Sequence, residues 1–327
     1  MRILVWHVHG SWSTAFLQGD HTYLLPLLPG RGPDGRGRAR TWDWPASAVE
    51  VPVEQLGAAA PDVVVLQRPH ERELVERWTG LRPGVDLPAV YVEHDAPRQG
   101  AAGSRHPLAD QRDIPIVHVT PFNRTMWDCG DARTLVVEHG VVDPGYGYTG
   151  EAPSLGAVVN EPVRRWRVAG TDLLLRCATE LPVHLHGMGV AALAAQVAGT
   201  PAGAGLTVLE DLPQARLHEV LGRHRAYLHP YRWTSLGLSL IEAMLLGMPV
   251  LALPTTAAPE AVPAQAGVLS SDPDVLLAAA RRWLADPAEA RDRGLAAREH
   301  ALTAFGVGRF LADWDAVLSD VTAGVSV

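Results

Sequence analysis

Ten short apolar runs rich in Val, Ile and Leu recur along this 327-residue chain, most of them separated by stretches with helical periodicity. Each run is long enough for a strand and too short for a helix. Those in the first half fall at residues 2–8, 62–67, 89–94, 115–120 and 134–139; those in the second at 155–160, 182–187, 206–211, 226–230 and 249–254. Strands apolar on both faces need cover on both, which helices supply in parallel α/β layers. Two such series predict two Rossmann-like domains, and a chain of this length suits two cores better than one. The break is expected in GVVDPGYGYTGEAPS (140–154), rich in Gly, Pro and Tyr. Domains are therefore expected at 1–145 and 146–305, followed by a C-terminal helix over 306–327. In that tail Phe310, Leu311, Trp314, Val317 and Leu318 share one helical face, which predicts packing, with a return to the first domain as one route. The Gly- and Arg-rich stretch PGRGPDGRGRARTWDWP (29–45) has neither period and reads as a surface loop.

Charge narrows the chemistry. All 28 cationic residues are Arg, and the formal net charge is -8. Without Lys there is no Walker P-loop, no pyridoxal Schiff base and no carbamylated-lysine metal bridge. Any phosphate must be held by Arg, backbone N–H groups or a helix N-terminus. A net-acidic chain is not expected to bind nucleic acid generally. No basic amphipathic helix points to a membrane surface. Cys129 and Cys177 lack CxxC spacing, and no run has the length or flanks of a signal peptide or membrane span, so a reducing, cytoplasmic setting is expected.

The chemistry concentrates in HPYRWTSLGLSLIEAMLLGMPVLALP (229–254). A strand ends at Pro230, a loop runs through Thr234 to Gly237, and a helix is expected from about Leu238. Gly237 allows close backbone approach, and the helix start behind it presents free N–H groups and a positive dipole end, which suit a diphosphate. Glu242, one turn in, is placed to accept hydrogen bonds from a ribose.

This stretch resembles the retaining GT-B glycosyltransferases of the family-four type, also called glycosyl transferases group 1. Their E-x7-E pattern, E-G-F-G-L-S-x-x-E-A-M-A-x-G-x-P-V-V-A, is met here by T-S-L-G-L-S-L-I-E-A-M-L-L-G-M-P-V-L-A. The resemblance implies a GT-B fold, with two Rossmann-like domains facing each other across a cleft. It implies metal-independent transfer of a hexosyl or heptosyl group from a nucleotide-diphosphate sugar to an acceptor hydroxyl, with no cofactor and no metal. The second motif Glu implies a ribose role for Glu242. The first implies a sugar contact at the position of Thr234, which has no charge to stabilise a cationic anomeric carbon. Thr234, Ser235, Leu236, Gly237 and Leu238 are the implied contacts to sugar and phosphate.

The family also carries an Arg and a Lys on the loop after the first strand of the second domain, where they neutralise the departing diphosphate. In AVVNEPVRRWRVAG the Arg position is Arg164 and the Lys position is Ala169, before Gly170; Arg165 and Arg167 are the candidates for the missing charge. In the first domain VYVEHDAPRQ places His94 where the family has a donor-positioning His, with Asp95 as a helper. HVHGSWSTAF places Gly10 for close approach to the diphosphate, with Trp12 and Ser13 as acceptor-side residues. Arg124, in TPFNRTMW, is more simply part of a helix capped by Thr120 or Asn123. Glu260 lies near the motif without an assigned role.

Rival readings are few. HVHG (7–10) and HLHG (184–187) have the His spacing of metal-dependent hydrolases, but those need a single barrel and further ligands. A sugar-nucleotide-binding protein that has lost transfer fits Thr234, and a nucleotide-sugar epimerase shares the fold. The expected partners are a nucleotide-sugar donor and a small-molecule, lipid-headgroup or glycan acceptor. Lobe closure on the donor is expected to hinge at 140–154.

Overall fold

The computed structural model describes residues 1–98, 100–101 and 103–324. The chain divides into two compact units: Met1–Val142 together with the segment from Phe305 onward, and Asp143–Ala304.

The first unit is built on seven parallel strands: β1 (Arg2–Val5), β2 (Thr22–Leu27), β3 (Ala48–Pro52), β4 (Val63–Leu66), β5 (Ala89–Glu93), β6 (Ile116–His118) and β7 (Thr134–Val136). Their order in the sheet is β3-β2-β1-β4-β5-β6-β7. β4 reads Val-Val-Val-Leu and is buried throughout, as a central strand covered on both faces must be. Burying each such side chain contributes about 1.5–3 kcal/mol. The closing helix Val307–Ala323 buries Phe310, Trp314, Val317, Leu318 and Val321 along one face. Trp314 meets Trp12 and Phe16 of helix Gly10–Phe16 edge-on, at centroid distances of 5.7 and 5.2 Å.

The second unit has six parallel strands: β8 (Ala152–Val158), β9 (Val183–Gly187), β10 (Leu206–Glu210), β11 (His224–His229), β12 (Val250–Ala252) and β13 (Gly267–Leu269). Their order is β10-β9-β8-β11-β12-β13. Each sheet thus starts in its middle, runs outward through its second and third strands, then returns to place its fourth on the other side of the first. The reversal leaves a crevice beyond the strand C-termini, between β1 and β4 in one unit and β8 and β11 in the other, where open α/β sheets take ligands.

All ten expected strands are present, and three were not anticipated: β2, β3 and β13. Thr120 is the cap of helix Pro121–Met126, accepting the Asn123 N–H at 3.0 Å. Among the described residues no helix is long and apolar enough to cross a membrane.

Candidate functional site

In the second unit the two segments singled out from the sequence follow β8 and β11, the strands at the reversal of order. β8 leads into the arginine-bearing turn, and β11 leads into the Thr234–Gly237 loop. Gly170 joins them: its φ is +71°, and a Cβ there would lie 1.8 Å from the Pro230 carbonyl oxygen. The N–H groups of Arg232 and Trp233 donate to the Val168 carbonyl at 3.0 and 3.3 Å, closing the same junction.

Helix Leu238–Leu246 starts at Gly237 with no side-chain cap. Gly237 has an ordinary extended backbone, and its missing Cβ makes room for His229, whose ring carbon would otherwise be 2.6 Å away. Burial lowers the His229 pKa to about 3, so the helix start faces a neutral imidazole. Ser235 and Leu236 are buried, while Thr234, Gly237 and Leu238 are half-buried. The Leu236 side chain therefore belongs to the core, leaving only its backbone for a ligand.

Glu242 is 4% exposed, one turn into the helix. Gln214 Nε2 donates to its Oε1 at 2.9 Å, and His218 Nε2 lies 3.5 Å from its Oε2. Both partners come from helix Gln214–Leu221. A carboxylate has about four acceptor sites, so Glu242 retains capacity for vicinal hydroxyls.

The arginines divide. Arg164 is mostly exposed and lies 3.4 Å from Glu161. Arg165 sits over the Tyr231 ring at 5.4 Å, beside the loop after β11. Arg167 is turned to Asp172, which also takes both guanidinium nitrogens of Arg232 at 2.5 and 2.9 Å. Arg167 thus shares the single Asp172 carboxylate with Arg232. Glu260 is exposed on the short helix Ala258–Ala261.

In the first unit, Gln67 links the ends of β1, β4 and β5. Its Nε2 donates to the Trp6 carbonyl at 2.8 Å, which leaves Oε1 as acceptor for His94 Nε2 at 3.0 Å. His94 is 8% exposed, its ring 4.0 Å from that of His9. Burial, then the nearby His9 and His139, hold its pKa well below the usual value, so it is neutral. Asp95 pairs with Arg98 at 2.6 Å, and Arg124 is exposed. Gly10 is occupied: the Trp42 indole rests on its Cα side.

Trp12 and Ser13, expected on the acceptor side, are both buried. Trp12 is 1% exposed and stacks on Phe16 at 4.7 Å, and Ser13 is 3% exposed, so neither offers a face to a ligand. Of the two His pairs of the sequence, the first divides: His7 packs on Trp44 at 4.7 Å and His9 on His94. His184 and His186 group with His224, whose Nδ1 is 2.8 Å from Ser154 Oγ; Gly156 clears room for the His224 ring. Among the described residues no three His, Cys, Asp or Glu side chains are placed to hold a metal ion.

Two parallel-sheet units of this order, in one chain, define the fold as that of the GT-B glycosyltransferases. Residues 164–286 match the family of glycosyl transferases group 1. Among solved structures, the chain is similar to a sucrose-phosphate synthase from Thermosynechococcus elongatus, with a TM-score of 0.74 and 14% identity over 99% of this chain and 100% of that one. It is similar to HepE from Anabaena, solved with UDP-glucose, with a TM-score of 0.70 and 15% identity over 98% and 100% of the two chains. A glycosyltransferase from Rickettsia africae ESF-5 gives a TM-score of 0.66 and 12% identity over 98% of each chain. No curated protein matches the sequence.

Proposed function

We propose that the protein is a retaining, metal-independent glycosyltransferase that moves a sugar from a nucleoside-diphosphate sugar to an acceptor hydroxyl. The observation that carries the reading is in the second unit, where the turn after β8 puts Arg165 over Tyr231 of the loop after β11, and that loop opens an uncapped helix with Glu242 one turn in. Glu242 holds the ribose. The N–H groups of Ser235 to Leu238 and the Thr234 hydroxyl contact phosphate and sugar. Arg164 and Arg165 offset the charge of the departing diphosphate. His94, neutral, is a sugar-contacting residue in the first unit.

In this reaction the acceptor oxygen bonds to the anomeric carbon as the carbon–phosphate oxygen bond breaks on the same face. The leaving phosphate takes the acceptor proton, so no dedicated base is required. Because HepE was solved with UDP-glucose, a UDP-sugar is the first donor to test. Titration with UDP, GDP, ADP and dTDP, with and without EDTA, followed by NMR of the product's anomeric configuration, tests each part. No nucleotide binding sinks the donor site, an inverted product sinks retention, and loss of activity in EDTA sinks metal independence.

A second reading rests on Thr234, which puts a hydroxyl where the resembling motif has a carboxylate: a sugar-nucleotide-binding protein without transfer. It predicts tight UDP-sugar binding with no turnover against any acceptor, and gain of donor cleavage in Thr234→Glu.

A further inference from the structure

The loop 29–45 is anchored more firmly than a solvated loop requires. The Arg38 guanidinium donates to the carbonyl oxygens of Pro45 at 2.8 Å, of Ala48 at 2.5 Å and of Trp44. Glu50 of β3 accepts from Arg31 at 2.7 and 3.0 Å and from the Arg38 N–H at 2.8 Å. Trp44 Nε1 donates to Thr14 Oγ1 at 2.9 Å, and Trp6 Nε1 to the Asp34 carbonyl at 3.0 Å. The Arg31 and Arg38 bonds hold the loop to itself and to β3, while those of Trp44 and Trp6 tie it to helix Gly10–Phe16 and to the end of β1.

Trp42, in the same loop, packs on Gly10. A Cβ on Gly10 would lie 2.3 and 2.6 Å from Trp42 Cη2 and Cζ3. Gly10 has no positive φ, so the indole, and not its backbone conformation, is what a side chain there would meet. Trp42 itself stays half-buried. Arg36 and Arg40 of the same loop are exposed, and among the described residues neither pairs with a carboxylate, in contrast to Arg31. Arg36 is close enough to act on His7, whose pKa burial and that guanidinium both lower. All of this sits at the C-terminal end of β1, beside the reversal of strand order.

We propose that residues 36–44 form the acceptor-recognition element of the first unit and that it takes an anionic saccharide, a sugar ring bearing a phosphate or carboxylate. Trp42 gives the ring a flat apolar face, while Arg36 and Arg40 match its anion. The term acceptor rests on the glycosyl-transfer reading above; the binding itself does not.

Calorimetry of the full chain with glucose, glucose 6-phosphate, glucuronate and inorganic phosphate, with and without UDP, tests it. An anionic sugar is expected to bind about tenfold or more tighter than glucose. Replacing both arginines (Arg36→Ala with Arg40→Ala) removes that preference, and Trp42→Ala weakens the anionic sugar but not phosphate. Trp42→Phe, which keeps a flat ring, retains binding within a few-fold and serves where the alanine variant does not fold. Equal binding of glucose, equal binding of inorganic phosphate, no binding of either anionic sugar, or wild-type affinity in the arginine variant overturns the proposal. Preference between glucose 6-phosphate and glucuronate identifies the anion. UDP titrated into the same samples reports the donor site, so its failure overturns the transfer reading and leaves the saccharide result standing.

Discussion

Gly170 and Pro230 meet so closely that a Cβ on the first would lie 1.8 Å from the carbonyl oxygen of the second. This contact sets the spacing between the arginine-bearing turn and the Thr234–Gly237 loop. Gly170 also has φ +71°, which L side chains rarely adopt. Gly170→Ala is therefore expected to destabilise the second unit by roughly 2–4 kcal/mol and to weaken nucleotide binding. Urea unfolding and UDP titration of the variant check it; wild-type values in both would show that the junction relaxes freely.

Glu242 is held by Gln214 and His218 rather than by solvent, so its carboxylate is oriented before any ligand arrives. A hydrogen bond to a charged group contributes about 1.5–3 kcal/mol, which predicts a roughly 10- to 100-fold rise in Kd for the nucleotide in Glu242→Ala. Glu242→Gln keeps the shape and one acceptor and should fall between. Calorimetry with UDP and with uridine separates a ribose contact from a phosphate contact: the loss must be the same for both. A loss seen with UDP alone would move Glu242 away from the ribose.

The strands that the sequence discloses are continuous apolar runs, which survive without knowledge of neighbours; β7 and β10 were legible in this way although the structure leaves them only partly buried. β2 is concealed by Pro26, which lacks the N–H of a central strand. The structure accommodates it because β1 ends its pairing at Leu24, so Pro26 lies where β2 has one strand neighbour, β3. β13 is three residues long and gives no period to read. The loop and helix start at Thr234 to Glu242 were legible because they form one contiguous segment. Its supports were not: Gln214 and His218 come from 28 and 24 residues away, and the demand of His229 on Gly237 depends on how a strand end folds over a helix start. The surroundings of Trp12 were hidden for a related reason. An aromatic in a turn looks available until Phe16, Phe310 and Trp314 are found around it.

The three candidate phosphate arginines should not be equivalent. Arg165 lies over Tyr231 beside the motif loop, whereas Arg167 is committed to Asp172. Removing a group that meets developing charge costs about 10²–10³ in kcat. Arg165→Ala is expected to show a loss of that order, and Arg167→Ala a loss of a few-fold at most. Arg232→Ala, by freeing Asp172, should cost stability more than turnover. Equal losses for Arg165→Ala and Arg167→Ala would mean that Asp172 releases its partner when the diphosphate binds.

Both units bury neutral imidazoles, and this predicts how stability follows pH. Burial lowers the pKa of His118, His139, His224 and His229 to about 3 and that of His186 to about 4. In the unfolded chain each titrates near 6.5. Between the two values the unfolded state binds the extra proton, so stability is complete above about pH 6.5 and falls as pH drops towards the folded pKa. Each such group contributes a slope of up to about 1.4 kcal/mol per pH unit in that window. His118 and His139 belong to the first unit and the other three to the second, so melting of both units should move downward together from pH 6.5 to 5. This window precedes the loss of carboxylate pairs such as Asp143–Arg298, where the pKa is depressed by Arg298 and stability goes only as pH falls through the carboxylate range. Calorimetric scans at pH 7.5, 6.5, 5.5 and 5.0 on the wild type and on His186→Gln decide the matter. The variant should show a shallower fall in the second unit alone, and a melting profile flat from pH 7.5 to 5.0 would show that these imidazoles already reach water.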